Sequence, residues 1–338
     1  MKPRLLNCLA VAACLCSGIL MACQAPVFRY ALERWKAGTW NIVLLSQGPL
    51  SSAQSQSLQA LQHSSASGSI PIEIQHIDLA VAAPAERRRW APHLQATGSD
   101  AMPLVVALYP QPSTVDQPVA SLMQLSATTA EQILNSPVRS ELAGRLSAGH
   151  SAVWLFLESG ELQADEQAIE RLNQQLKEDE QRLTLPTAAD LQVTPEQLRS
   201  LRIPLKLQFS VLRLRRDDLR EQFLIDSLLR SEADLRELSE PIAFPVFGRG
   251  RVLYALVGKG INSKTISAAS DFLSGPCSCQ VKEQNPGFDL LMTHDWTSAV
   301  GDTLVSSPIP EEQKKPALLN IPPGRSNAAK PAPQKTDK

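Results

Sequence analysis

The 338-residue sequence has little of several features that would indicate a function directly. It carries 33 Lys and Arg against 34 Asp and Glu, a formal net charge of −1, so its charge does not call for a nucleic acid partner. Six cysteines are too few for a disulfide-dense scaffold of this length. The five histidines show no paired metal-binding spacing, and no G-x-S-x-G, P-loop or G-x-G-x-x-G motif occurs. We therefore expect no cofactor and lean towards a protein that is not an enzyme.

The N-terminus has the pattern of an export signal. Lys2 and Arg4 precede an apolar stretch that is marginal for a membrane span and typical of a secretory signal over residues 1–22. The sequence LMAC that ends at Cys23 resembles the bacterial lipobox, in which this cysteine receives the lipid. Ordinary signal peptidase could instead cut after Ala22. Both alternatives predict export with Cys23 as the first mature residue, and the lipobox resemblance implies a membrane-anchored lipoprotein that faces the periplasm.

The cysteines that remain after cleavage define the thiol chemistry. Removal of the signal leaves Cys23, Cys277 and Cys279, with 31 basic against 34 acidic residues. An odd number of thiols in an exported protein needs an explanation, and lipidation of Cys23 would leave an even pair. The pair Cys277-Ser278-Cys279 favours a structural disulfide, within the pair or to Cys23. It could also form a strained, easily reduced redox disulfide, or supply weak ligands for a soft metal such as Cu(I) or for zinc.

The chain between the signal and the tail contains two similar halves, at 41–148 and 151–275. Each half has the predicted order β-α-β-α-β-β-α, in which helices between strands favour parallel pairing and the final hairpin adds antiparallel strands. The capping patterns predict one helix over 130–147. Apolar runs predict single strands over 205–214 and 251–257. The fold class is therefore α/β with two tandem units.

Three further segments flank these units. Residues 23–40 contain a predicted N-terminal helix, and 276–304 form an extension that contains the C-x-C pair. Residues 305–338 have seven prolines, six Lys and Arg, two leucines and no aromatic residue. Such a segment buries too little apolar surface to offset its ordering entropy, so we expect a disordered, mildly basic tail.

The order of elements in each half resembles the thioredoxin-like fold, most specifically over residues 241–273. The resemblance places a cis-proline at Pro241, and at Pro103 in the first half. Thioredoxin enzymes carry Cys-x-x-Cys at the turn after the first strand, where a helix N-terminus lowers the thiol pKa. The corresponding turns here, SQGPLSS at 46–52 and ESGELQ at 158–163, contain no cysteine. This departure excludes dithiol exchange at both turns.

The chain is also similar to an uncharacterised family of exported bacterial lipoproteins. The stretches that carry this resemblance are CQAPVFRYALERW at 23–35 and CSCQVKEQNPG at 277–287. The resemblance implies export and brings no established activity. Together these patterns predict a non-catalytic binding or scaffolding protein of the cell envelope, which binds an envelope protein at the loops around Pro103 and Pro241. The alternatives are a thiol-redox or soft-metal protein that uses Cys277 and Cys279, and an accessory lipoprotein of a membrane transporter.

Overall fold

The protein is an α/β structure with two mixed sheets, seen in a computed structural model. The structure describes residues 24–66, 70–98, 102–111, 115, 118–277, 281–301 and 303–305. The predicted signal at 1–22, Cys23, Cys279 and nearly all of the predicted tail lie outside these residues. Within the described chain, no helix is both long enough and apolar enough to span a membrane.

The first half builds a four-stranded sheet. Its elements, in chain order, are α1 (Val27–Arg34), β1 (Trp40–Ser46), α2 (Ser52–Ala66), β2 (Ile72–Asp78), α3 (Pro84–Thr97), β3 (Leu104–Leu108), β4 (Val119–Gln124), α4 (Ala127–Leu134) and α5 (Pro137–Ser147). The strand order is β2-β1-β3-β4, with β1 parallel to β2, and β3 antiparallel to both β1 and β4. The expected parallel pairing across a helix is therefore confirmed for β1 and β2, and the expected antiparallel hairpin for β3 and β4. It was wrong for β3, which follows the helix α3 but is antiparallel to β1.

The second half repeats this arrangement with additions. Its elements are β5 (Ala152–Leu157), α6 (Leu162–Arg182), α7 (Pro195–Arg199), β6 (Phe209–Leu214), α8 (Gln222–Leu229), β7 (Ile242–Phe247), β8 (Arg251–Val252), β9 (Leu256–Val257), α9 (Ser263–Ser274), β10 (Phe288–Asp289) and α10 (Trp296–Val300). The sheet order is β10-β8-β7-β5-β6, and β9 also pairs with β7. β5 is parallel to β6 and antiparallel to β7.

Two predicted elements are divided in the structure, each for a reason that involves proline. The helix expected over 130–147 is two helices, because Ser136 is extended and caps α5 through a bond from the Arg139 amide, while Pro137 has no N–H with which to continue α4. The strand expected over 251–257 is split into β8 and β9. Pro245 of β7 accepts a bond from the Leu253 amide at 3.0 Å but has no N–H to return one, so the ladder is interrupted.

The strand expected over 205–214 begins only at Phe209. β5 begins at Ala152, so the preceding residues have no strand beside them. The carbonyls of Lys206 and Gln208 are instead bonded by the side chain and the backbone amide of Ser151, both at 2.8 Å. The prediction of a ten-residue strand was therefore wrong in its first four residues.

Each sheet is covered on both faces. In the first half, α2 and α4 cover the face of β1 that carries Ile42 and Leu44, and α3 covers the opposite face through Trp90. In the second half, α6 and α9 pack together on one face, and α8 covers the other. The N-terminal α1 also packs on the α6 and α9 face, so it belongs structurally to the second sheet.

The two halves share one hydrophobic core. The ring of Trp40 in β1 lies 5.6 Å from that of Phe223 in α8, between ring centroids. The Tyr109 hydroxyl, fully buried, donates to the backbone oxygen of Ser227. Ser121 donates to the carboxylate of Asp226 at 2.9 Å. The apolar cluster that surrounds these contacts contains residues from both sheets, so the interface is a protein core.

A buried arginine connects three parts of the chain across this core. Arg139 donates to the carbonyls of Gln132 and Ile133 at the end of α4, at 2.9 and 2.7 Å, and to the carbonyl of Leu291 in the C-terminal extension. Its guanidinium lies 5.4 Å from the ring centroid of Phe223. Burial lowers the pKa of Arg139 to about 10, which leaves it charged at neutral pH.

Candidate functional site

The turn after β1 is one of the two turns at which the thioredoxin resemblance predicted the position of a redox motif. Ser46, at the end of β1, is buried, and its hydroxyl lies 2.9 Å from the Nε2 atom of His76 in β2. One carboxylate oxygen of Asp78 accepts bonds from the amides of Gly48 and Ala80, at 2.8 and 2.9 Å. These backbone bonds hold the pKa of Asp78 below its usual value. The Gly48 amide of this turn is therefore already bonded to a carboxylate of the chain itself.

The turn after β5 is filled in a similar way. Asp165, in the first turn of α6, is buried, and its Oδ1 atom accepts from the amide and the hydroxyl of Ser159 at 2.8 and 2.7 Å. Its Oδ2 atom accepts from the amide of Gly160 at 3.0 Å. Amides at a helix N-terminus stabilise a negative charge, and here that charge is the carboxylate of Asp165.

The two candidate proline loops differ from each other. The Met102–Pro103 peptide bond is cis, as expected. It is the only cis bond within the described part of the chain, so the expectation of a cis bond at Pro241 was wrong. The chain before Pro241 is instead held by Arg216, which donates to the carbonyls of Leu238 and Glu240 at 2.9 and 3.2 Å.

Arg216 also connects this proline loop to the turn after β5. Its Nε atom donates to the carbonyl of Glu158 at 3.4 Å. Burial lowers the pKa of Arg216 below its usual value. A single guanidinium thus bonds both the turn after β5 and the loop before Pro241.

Two large apolar side chains are exposed near the turn after β5, where the strands β5 and β6 end. Leu162 begins α6 just after β5 and is 73% exposed, and Leu219 follows β6 and is 74% exposed. The carboxyl ends of the parallel strands β5 and β6 lie at one edge of the sheet, where ligands bind in many α/β proteins. Nearby, Arg213 pairs with the carboxylates of Glu158 and Glu166 at 2.5 and 2.7 Å. We call Leu162, Leu219 and the Glu158 turn the apolar edge.

Cys277 lies away from that edge, in the core beneath α1. Its side chain belongs to the apolar cluster around α1, α6 and α9, and the residue is 2% exposed. Its amide donates to the carbonyl of Ala25 at 3.0 Å, and Pro26 forms an antiparallel bridge with Pro276. The segment that follows Cys23 is therefore paired with the segment that contains Cys277. The described residues contain no group of three or more His, Cys, Asp or Glu side chains that could hold a metal ion.

A buried charge cluster connects the extension to the second sheet. Arg251 of β8 pairs with Asp289 of β10 at 3.0 Å, and Lys282 pairs with the other oxygen of the same carboxylate at 2.5 Å. The amide of Gly38 donates to Asp289 at 2.7 Å. A cavity of about 210 Å³ lies beside this cluster. Sequence reasoning missed it, since Arg251 was assigned only to a strand and no motif relates it to residues over thirty positions away.

The two stretches of the lipoprotein resemblance meet in this region. Ala25 and Pro26 pair with Pro276 and Cys277, and the guanidinium of Arg251 lies 5.7 Å from the ring centroid of Trp35. Arg251 also donates to backbone carbonyls within 282–286. Comparison of the sequence with family models and curated proteins, and of the fold with solved structures, finds no match.

Proposed function

We propose that the protein is a non-catalytic binding or scaffolding protein of the cell envelope, built from two thioredoxin-like units that have lost their redox turns. The topology supports the units: each half has a central strand flanked by one parallel and one antiparallel neighbour. In the first half α2 and α4 pack on one face of the sheet and α3 on the other, and in the second half α6 and α9 pack on one face and α8 on the other. The export signal and the lipid on Cys23 remain part of the proposal.

The observation that carries the non-catalytic role is the occupation of both turns. A thioredoxin turn offers its amides to a thiolate, whereas Asp78 and Asp165 already accept from the amides of Gly48, Ser159 and Gly160. Neither turn contains a cysteine. Because these amides already bond internal carboxylates, the turns do not offer them to a thiolate. We therefore assign partner binding to the loops beside the turns.

The redox alternative through Cys277 has less support. Thiol–disulfide exchange requires that a sulfur atom be accessible to the attacking thiolate. The side chain of Cys277 packs in the core between α1 and α9. Attack at this sulfur would require α1 to separate from the second sheet.

An insulin reduction assay tests the non-catalytic role. We expect the purified mature protein to reduce insulin no faster than the dithiol reductant alone, with Cys277→Ser indistinguishable from wild type. A rate comparable to that of an active thioredoxin, abolished by Cys277→Ser, would show that the proposal is wrong.

The binding surface that we propose is the apolar edge, because it exposes two leucines beside loops held in place by Arg216. A photo-crosslinking amino acid at Leu219 should capture an envelope protein in intact cells, and one at Gln181, exposed near the other end of α6, should not. Leu162→Glu should abolish the capture from position 219. The same change at Val81, 83% exposed in the first half, should leave it intact. Equal capture from positions 219 and 181 would contradict the proposal.

A further inference from the structure

The charge cluster beside the 210 Å³ cavity has more buried positive than negative charge. The side chains of Arg251 and Asp289 are 8% and 7% exposed, and that of Lys282 is 16% exposed. Two cations of low exposure therefore share one carboxylate at the wall of the cavity. A buried charge is costly unless it is compensated, so an uncompensated cation favours an anionic neighbour.

The hydrogen-bond donors of this cluster are also not all used. Arg251 donates through Nε to Pro286, through Nη1 to Asp289, and through Nη2 to the carbonyls of Asn285 and Lys282. The Nζ atom of Lys282 donates to Asp289 and to the carbonyl of Lys36. Of five guanidinium N–H and three ammonium N–H groups, one on Nη1 and one on Nζ have no acceptor among the described residues.

The cavity is suited in size and lining to a small group. It is formed where the linker before β1, the end of β3 and the C-terminal extension meet, and its wall includes Lys36, Pro110 and Phe288 together with the cluster. Lys36 is exposed and adds a third cation, while Glu283 adds a second carboxylate, so the charged residues of the wall sum to +1. Its volume is below that of a typical drug-sized site but accommodates a carboxylate or a phosphate with a short substituent.

We propose that this cavity binds a small oxyanion group, a carboxylate or a phosphate, through the unused donors of Arg251 and Lys282, with Lys36 at the entrance. The bond would be charge-assisted on both sides, which makes it among the stronger hydrogen bonds that a protein forms. The site is separate from the apolar edge, and the proposal does not rest on the envelope-binding function.

Isothermal titration calorimetry at constant ionic strength tests this site and its source of oxyanion. The ligands are inorganic phosphate, acetyl-trialanine with a free carboxylate, and the C-terminal amide of the same peptide. We expect saturable binding of one ligand per chain for phosphate or for the free carboxylate, and none for the amide. Tighter binding of phosphate would identify the ligand as a free phosphate. Tighter binding of the peptide with the free carboxylate would identify it as a peptide C-terminus.

Two variants and a control locate the binding. Lys282→Gln removes one charge-assisted hydrogen bond and should weaken binding at least about tenfold. Lys36→Gln should weaken it about two- to fivefold, since an exposed charge contributes less. Lys264→Gln, an exposed lysine of α9 outside the cavity wall, should leave it unchanged.

Thermal melts without ligand check that each variant is folded, and Lys36→Gln carries the test if Lys282→Gln is not. The proposal is wrong if no oxyanion binds saturably to wild type. It is equally wrong if the folded cavity variants bind as tightly as the Lys264→Gln control.

Discussion

Truncation of Phe223 should destabilise both halves of the protein together. Phe223 lies on α8 of the second half, is 2% exposed, and contacts Trp40 of the first half and the guanidinium of Arg139. Removal of a buried phenylalanine side chain costs about 3–5 kcal/mol, from the lost transfer free energy and the cavity left behind. Because the ring is in a core shared by the two sheets, we expect this loss to appear in the free energy of global unfolding.

Hydrogen exchange with mass spectrometry measures the effect in each sheet separately. At about 1.4 kcal/mol per factor of ten, Phe223→Ala should accelerate exchange of the slowest amides by about 100- to 4000-fold. The acceleration should be the same in peptides from β1 and β3 as in peptides from β5 and β7. Phe272→Ala, at a partly exposed phenylalanine of α9, should have a much smaller effect in all of them. If β5 and β7 lose protection while β1 and β3 keep theirs, the halves unfold independently and the shared-core argument fails.

Three further predictions concern stability. Arg139→Met leaves three buried carbonyls without their donor and should lower the free energy of unfolding in urea by about 3–5 kcal/mol, whereas Arg145→Met, at a partly exposed site, should cost less than about 1.5. Gly287→Ala would place a Cβ 2.0 Å from the backbone oxygen of Val252, at a φ of +103°, and should prevent docking of the C-terminal extension. Limited proteolysis should then cut the extension faster than in wild type. Gly160→Ala, at a φ of +94° but in open space, should lower the free energy of unfolding by only about 1–2 kcal/mol. Burial, with smaller contributions from nearby cations, holds the pKa of His150 below its usual value of 6.5. The unfolded state therefore binds this proton at a higher pH than the folded state, and the free energy of unfolding falls as the pH drops below 6.5. His150→Gln should remove this contribution, so that the urea midpoints at pH 7.5 and 5.5 differ less than in wild type.

The order of elements could be predicted from the sequence because its strands are strongly marked. β1, β3, β5 and β7 are almost wholly apolar and are buried on both faces, which produces continuous hydrophobic runs. Boundaries were missed where a single proline decides them, as at Pro137 and Pro245. The hydrophobic pattern shows that a position is buried but does not identify its partner, so the packing of Trp40 against Phe223 was not predictable.

For the two candidate redox turns, the sequence predicted mainly the absence of a cysteine. The sequence shows that the turns at 46–52 and 158–163 have no cysteine, and the structure adds that internal carboxylates bond their amides. For Asp165 a weak signal existed, because an acidic residue in the first turn of a helix is favoured by the helix dipole. No comparable signal related Arg251 to Asp289, which meet through the return of the C-terminal extension to the sheet edge.

Both ends of the described chain converge on α1. The carboxylate of Glu33 accepts from Arg29 within the helix and from the amides of Leu304 and Val305, at 3.0 and 2.8 Å, where the predicted tail begins. The segment just after Cys23 is bonded to the segment that contains Cys277, at the other end of the same helix. A lipid on Cys23, as proposed, would therefore be attached two residues before Ala25, whose carbonyl is bonded to the Cys277 amide beside the second sheet. Because that sheet also presents the apolar edge and shares its core with the first half, a partner bound there would be held in a fixed orientation to the anchor. This rigidity suits a scaffold, and independently tethered modules would lack it.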